Sequence, residues 1–581
     1  MKITRILFRF FTATALLWAV ACEKPEANSG NGNDEGDQPS TSVTEINGTA
    51  IQEGNNLIGL VADTATGKGI AGVAVSDGFT VVKTDENGVY QFEASRYAAN
   101  VFISVPSEYQ IPMDKLNQPA FYKKGVAKNK VNRNDFNLTK LLEPEENFTL
   151  VAIGDPQVKQ AAHITRYQNE TIADMKAMLN THQLTGRYNN AYAVTLGDIV
   201  HDTPDLWGDM VKTMQNVSLT SGNRNSGGYL PIFQCAGNHD HNAKSANDRA
   251  ALGDFNSHYG PADYSFNRGK VHVVVMDNIV CTTSSGSSWT YDAGFTKTQF
   301  EWLKADLAAV ENKADKMLIL CCHIPFRAGQ ASGGANVNHD KYYYETLALM
   351  REWNEAHIMI GHTHYPQNYR HLPYRTKNDI PVYEHVHGGA CGGWWACNMN
   401  VDGAPNGYSL YEIEGNHMKN WVAKSTGLDE GYQMRVYNGN QTWTGSKGYI
   451  YNWYQNSTGG SSNIKYTGRS YLKNCFVVSL WNDDEANWKV ELTHNGQTYP
   501  MKRASDKVTD AAVVSYFFNE CGKNTDSWTK PLNHYWYVEA PGKVDPSTLS
   551  GWTVTATQTI PGSGEVNVYT SGSFQTDYNN M

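Results

Sequence analysis

Six apolar runs in the middle of this chain each stop at a loop, and five of those loops carry the same kind of side chain. The runs cover residues 148–153, 191–196, 231–235, 271–276, 317–322 and 357–360. Each is short and bounded, as buried strands are, and helical patterns lie between them. The clearest helix is expected from Lys297 to about Val310, with Thr296 and Gln299 as a capping box and Phe300, Leu303 and Leu307 on one apolar face. Strands alternating with helices restrict this segment to an α/β fold. Ligands of open α/β sheets bind beyond the carboxyl ends of the strands. Five of the six runs end in Asp155-Pro156-Gln157, Gly197-Asp198, Gly237-Asn238-His239-Asp240, His323 and Gly361-His362-Thr363-His364. The sixth ends in Asp277-Asn278, which reads as a turn or cap.

Nearly every side chain in the five blocks is a hard or borderline metal ligand. Two divalent ions about 3.5–4 Å apart clamp both oxygens of an in-line phosphoryl displacement. Such a pair needs a carboxylate placed to bridge, with neutral imidazole or amide ligands completing each shell. Carboxylates alone favour calcium or magnesium, and added imidazoles favour manganese, iron or zinc. Any one block is a weak signal, because Gly-Asp and Gly-Asn end strands for backbone reasons. Their order and their common position at strand ends carry the weight.

In that order the blocks resemble the calcineurin-like metallophosphoesterases, over residues 146–382. The resemblance implies a four-layer αββα core and hydrolysis of phosphomonoesters or phosphodiesters. It implies two divalent ions, drawn from manganese, iron, zinc or magnesium, that activate a hydroxide. Asp155, Gln157, Asp198 and His364 would hold the first ion. Asp198, Asn238, His323 and His362 would hold the second, with Asp198 bridging. His239 would face the substrate as general acid, oriented by Asp240, Asp202 or a backbone carbonyl. His241 and Arg327 are candidates for substrate contact, set against a hydrogen-bonded loop histidine and a surface ion pair.

The chain departs from the family pattern twice. The family usually has His where this chain has Gln157, a weaker and harder oxygen ligand. The protein-phosphatase branch places Asp three residues after the bridging Asp, then Arg. Here that stretch reads Ile199-Val200-His201-Asp202. The absent Arg disfavours a Ser/Thr protein phosphatase, which stays as an alternative.

At 581 residues the chain has room for roughly three or four domains. Lys2, Arg5 and Arg9 precede an apolar stretch ending in Ala19-Val20-Ala21-Cys22. Residues 1–21 read as a signal peptide. The ending resembles a bacterial lipoprotein box, which implies a lipidated Cys22 and an exported, membrane-anchored protein, periplasmic or on the cell surface. Residues 22–54 are polar and read as a flexible tether. Residues 55–142 show short strands with an Asn87-Gly88 turn and resemble the carboxypeptidase-regulatory or transthyretin-like β-sandwich. Residues 383–575 are rich in Gly, Asn, Tyr and Trp and read as a C-terminal β-rich domain. This layout resembles an exported subgroup of the phosphoesterases. Cys391 and Cys397 flank Gly-Gly-Trp-Trp, and the sequence leaves open whether a disulfide closes that loop or both stay free. Trp394 and Trp395 read as interface residues, or as a stacking platform.

A net charge of −10 argues against nucleic-acid partners. The expected substrate is a phosphorylated small molecule or a phosphoglycan. A second reading, a catalytically weak glycan- or phosphoglycan-binding lipoprotein using the Trp-rich C-terminal region, also stays open. Gln157 generates one prediction. The first site should bind metal more weakly than the second, or prefer manganese or magnesium, and stoichiometric zinc in both sites by metal analysis and anomalous scattering would contradict it.

Overall fold

The computed structural model describes residues 43–579, apart from short internal stretches of which 220–227, 328–338 and 457–465 are the longest. All six apolar runs form strands, and five further strands join them. In chain order these are β1 (Asn147–Ile153), β2 (Ala191–Thr195), β3 (Ile232–Phe233), β4 (Tyr264–Arg268), β5 (Val271–Val275) and β6 (Met317–Cys321). They continue with β7 (Glu355–Ile360), β8 (Gln367–Arg375), β9 (Pro381–Val386), β10 (Gly407–Glu414) and β11 (His417–Ser425). One sheet has the order β3-β2-β1-β10-β11 and the other β4-β5-β6-β7-β9-β8. Strands β1 to β3 run parallel, as do β5, β6, β7 and β9.

Strand periodicity explains why these runs read as continuously apolar. Successive side chains point to opposite faces, and both faces are covered. Phe148, Leu150 and Ala152 of β1, with Tyr192 and Val194 of β2, share a core with Val273, Val275, Ile319 and Ile358 of the second sheet. The alternate residues Val151, Ile153, Ala191 and Ala193 pack with Ile164, Tyr167, Met175 and Leu179. Those four belong to helices α1 (Ala161–Tyr167) and α2 (Ala173–Leu184). Helix α3 (Lys297–Ala309) starts at the expected capping box: Gln299 N–H donates to Thr296 Oγ1 at 3.3 Å and Thr296 N–H to Gln299 Oε1 at 2.9 Å. Its Leu303 and Leu307 face Val274, Leu318 and Leu320.

Packing and strand pairing cross two of the expected boundaries. The stretch 22–54, expected as a tether, is ordered at its end. Residues Glu45–Ile46 and Thr49–Ala50 pair as a hairpin, and Ile46 packs with Ile58 and Val89 while Val43 and Ile51 lie against them. Those three apolar residues supply the burial that holds the hairpin. The division expected at 383 does not coincide with a sheet boundary either. Strands β10 and β11 lie beyond it, yet β10 runs antiparallel beside β1, with Leu150 opposite Tyr411. Pairing between segments so far apart leaves no local trace in the sequence. The signal segment and Cys22 lie outside the described residues.

Residues 57–138 form small β-sheets whose Leu57, Val75, Tyr90 and Val101 belong to the main core. Residues 434–571 form two principal four-stranded sheets that pack on each other, and helix α4 (Ala511–Asn519) packs with Tyr437, Val477 and Tyr535 of the first. No helix among the described residues is long and apolar enough to cross a membrane. Replacing Ile46 by Ala should cost about 2 kcal/mol, the lower end for a buried Ile. Denaturant unfolding checks this, and an unchanged midpoint would mean that the hairpin does not pack.

Candidate metal centre

The ends of β1, β2, β3, β6 and β7 bring the five blocks together. Asp155, after β1, accepts the His362 backbone N–H through Oδ1 at 3.1 Å and Oδ2 at 2.9 Å. His364 Nε2 stands 3.7 Å from Asp155 Oδ1. Asp198, after β2, accepts from Gln157 Nε2 at 2.8 Å and from the His239 backbone N–H at 2.9 Å. His323 donates Nδ1–H to the Leu196 carbonyl at 2.7 Å. That bond turns its Nε2 toward Asn238 Oδ1 and His362 Nδ1, both at 3.1 Å, and Asp198 Oδ1 at 3.3 Å. A carbonyl that takes one imidazole N–H and aims the other nitrogen inward is how ligating histidines are held. Asp198, His323 and His362 can present ligand atoms within 4.8 Å of one another.

The donor set fits metal ions on a charge argument. Asp155 and Asp198 are buried, and among the described residues no Lys or Arg pairs with either. Burial, offset in part by His323 and reinforced by Asp198, pushes the Asp155 carboxyl up to about 8. Burial opposes ionisation of Asp198 as well, yet His323 beside it holds that carboxyl below its usual range. Two adjacent buried carboxylates need compensating charge to ionise together. Burial lowers His362 to about 3 and His364 to about 4, which favours the neutral form that ligands adopt, whereas at His323 burial is outweighed by Asp198, which raises it to about 9.

The backbone is strained where the ligands sit. Asp155, Gln157, Asp198, His362 and His364 have φ of 43°, 41°, 49°, 70° and 54°. Non-glycine residues avoid this left-handed region at a cost of about 1–3 kcal/mol each, and such outliers cluster at functional sites. Two motif glycines have a direct steric reason. A Cβ on Gly197 would stand 2.4 Å from His323 Nδ1, and one on Gly361 would stand 2.7 Å from Asp155 Oδ2.

Two residues expected to act in catalysis or substrate contact are scaffold instead. Asp240 is buried and accepts backbone N–H groups of Val200 at 3.0 Å, Ile199 at 3.1 Å and Gly237 at 2.9 Å. It ties the Gly-Asp loop to the Gly-Asn-His-Asp loop. His241 is also buried, 2.8 Å from the Gly237 carbonyl and 3.2 Å from Asp277 Oδ2, so it cannot reach a substrate. Arg327 donates its backbone N–H to Glu384 and holds its guanidinium 5.5 Å from the Tyr369 ring centre. The residue that does meet His239 is Asp202, with Oδ2 3.0 Å from His239 Nδ1. His201 stacks on His239 at 4.1 Å between ring centres. Burial works against protonation of His239, but the Asp202 bond outweighs it and raises the imidazole above its usual range.

The loop following β9 was legible only as Gly- and Trp-rich. It closes the site from the far side. Ala390 N–H donates to the Gly154 carbonyl at 2.7 Å and Cys391 N–H to the Asp155 carbonyl at 3.2 Å. Cys391 Sγ lies 3.5 Å from His364 Nδ1 and 4.0 Å from Gln157 Oε1, and the Trp394 ring stacks on His364 at 4.6 Å. Cys391 and Cys397 are both free thiols, so no disulfide closes the loop between them. Asn278, expected as a turn or cap residue, accepts the His323 and Ile324 backbone N–H groups at 3.2 and 2.9 Å and so fixes the loop that carries His323.

Family models match the chain in three consecutive blocks. Residues 56–141 match the N-terminal region of calcineurin-like phosphoesterase, 148–366 the calcineurin-like phosphoesterase domain itself, and 384–560 the C-terminal region. The chain belongs to the calcineurin-like phosphoesterases, a family of metal-dependent phosphoester hydrolases, with β-rich domains on either side of the core. Among solved structures, a purple acid phosphatase from yellow lupin (Lupinus luteus) seeds is 13% identical, with a TM-score of 0.32 over 48% of this chain and 54% of that one. The match thus spans about half the length of the lupin protein. A dimetal phosphatase from Danio rerio is also 13% identical, with a TM-score of 0.32 over 49% of this chain and 97% of that one. No curated protein matches the chain in sequence.

Asp240→Ala should leave buried backbone donors unpaired at about 1–3 kcal/mol each and lower the thermal midpoint clearly. Asp202→Ala, at a half-exposed position, should leave that midpoint nearly unchanged. Equal loss in both variants by thermal unfolding would contradict the roles assigned to the two carboxylates.

Proposed function

We propose that this protein hydrolyses phosphomonoesters or phosphodiesters where the five loops converge, with His239 as the proton donor. One observation carries the reading. His239 is fixed at two points, its backbone N–H on Asp198 and its Nδ1 on Asp202. This leaves Nε2 with no partner among the described residues, on a ring that is 29% exposed at the edge of the ligand cluster. A leaving oxygen placed there takes a proton from Nε2, while Asp202 keeps the ring's tautomer and orientation and stabilises its charged form.

Asp155, Gln157, Asp198 and His364 are assigned to one ion, and Asp198, Asn238, His323 and His362 to a second, with Asp198 shared. Manganese, iron, zinc and magnesium all suit parts of this mixed oxygen and imidazole set. Ions held there would neutralise phosphate charge and lower the pKa of water. The protein's own contribution is to hold the ligands in place through Leu196, Asn278 and Asp240, and to aim His239. In the finer reading, the core is the four-layer αββα arrangement, the N-terminal domain a transthyretin-like sandwich, and the mature chain a lipoprotein exported on a Cys22 anchor.

For the alternative of glycan capture by C-terminal tryptophans, only Trp394 and Trp528 are partly exposed among the described tryptophans beyond residue 383. Trp443, Trp453, Trp481, Trp488, Trp536 and Trp552 are all buried. Nor does any observation favour the protein-phosphatase alternative. The decisive assay is turnover of 4-nitrophenyl phosphate and bis(4-nitrophenyl) phosphate with added manganese and with chelator. His239→Ala should lower turnover by about 100-fold or more with metal content near that of the wild type, whereas Asp198→Asn should lose metal as well. Full activity in His239→Ala on both esters would refute its role.

A further inference from the structure

One groove outside the ligand cluster combines guanidinium groups with aromatic rings. Phe326, Arg327, Tyr343, Tyr344, Arg370 and Tyr374 line it, and its volume is about 450 Å³. That is within the range of small-molecule sites. Tyr344 is 48% exposed and the adjoining Leu372 51%, so the groove is open to solvent.

Among the described residues no carboxylate pairs with the guanidinium of Arg327 or Arg370. This is informative in a chain with 58 acidic and only 48 basic residues. Two carboxylates lie nearby: Glu345, exposed and close to Tyr374 without an ion pair to either arginine, and Glu384, fully buried and already engaged. Glu384 accepts from His371 Nε2 at 2.7 Å and from the Arg327 backbone N–H at 3.2 and 3.3 Å. His371 Nδ1 in turn meets the Tyr343 hydroxyl at 3.4 Å. This network holds the wall of the groove in place and leaves both guanidinium groups without an acidic partner among the described residues.

The groove adjoins the ligand cluster along the chain. Arg327 is four residues beyond His323, and four extended residues reach at most about 14 Å. One small molecule is long enough to span that separation.

We infer that this groove receives the distal part of the substrate, a ring carrying a second anionic group, whose scissile phosphoester lies at the metal centre. The inference rests on the hydrolytic reading above. Guanidinium forks match phosphate, sulfate and carboxylate oxygens, and tyrosine faces stack on planar or sugar rings. A cationic ligand is repelled by the two arginines. A neutral apolar ligand strips them of water without pairing them. A simple monoester has no group that reaches the groove.

The test compares glucose 1,6-bisphosphate with glucose 1-phosphate and 4-nitrophenyl phosphate, using the full chain loaded with manganese. Arg370→Ala should raise KM for the bisphosphate about tenfold or more, the loss expected for one charge-assisted contact. Its kcat on the bisphosphate should hold, and both parameters for the two monoesters should stay as in the wild type. Arg370→Lys should recover part of the loss. A binding measurement keeps the groove testable without turnover. Pyrene-1,3,6,8-tetrasulfonate, followed by its own fluorescence, should bind the chelator-treated wild type and bind Arg370→Ala about tenfold more weakly. Failure of the wild type to bind the sulfonate, or equal binding by both proteins, overturns the groove as an anion site. Sulfonate binding that responds to Arg370→Ala while KM for the bisphosphate does not change overturns its assignment to the substrate. Absence of all turnover sinks the hydrolytic reading instead, and the sulfonate titration still decides the groove.

Discussion

Burial of Asp155 and Asp198 side by side is the constraint around which the centre is arranged. Neither carboxylate has a Lys or Arg partner among the described residues, and each is nearly inaccessible to water. Such a pair is unfavourable unless cations or hydrogen-bond donors surround it. The loops supply donors to both: the His362 backbone N–H to Asp155, and the Gln157 amide and the His239 backbone N–H to Asp198. The ring nitrogens of His323, His362 and His364 gather on the side left over. That arrangement comes with left-handed backbone conformations at five candidate ligand residues. Strain of that kind persists only when the surrounding structure over-determines it.

The over-determination has identifiable parts. Asp240 draws three backbone N–H groups of two loops onto one carboxylate. Asn278 pins the loop after β6, and the Leu196 carbonyl sets the tautomer of His323. The absence of side chains at Gly197 and Gly361 lets the blocks approach each other. Each strand-end loop is thus braced by a neighbour from another strand, so the ligand positions depend on the sheets being correctly paired.

The flanking chain is part of this bracing. Strands β10 and β11 complete the sheet beside β1, and the loop before them lays Cys391 and Trp394 against His364. Cys397 and Met399, on the same loop, belong to the core around Phe517 of α4. The rear wall of the candidate metal centre is therefore anchored in the C-terminal region, a physical reason for the chain to carry that region at all.

The order of the five blocks, the strand character of the runs before them and the capping box of α3 were legible in the sequence. Each is a local property: burial on two faces makes a run continuously apolar, and metal ligands come from few residue types. Roles that depend on what faces a side chain were not legible. Asp240 adjoins His239 in the sequence while Asp202 lies 37 residues before it, yet only the folded loops decide that the first binds backbone amides and the second meets His239. The same holds for Cys391, whose approach to His364 follows from pairing between strands far apart in the chain. Residue type determined which atoms can bind a cation. Long-range pairing alone decided which of them share a cage, because register and loop contact are set by partners hundreds of residues away.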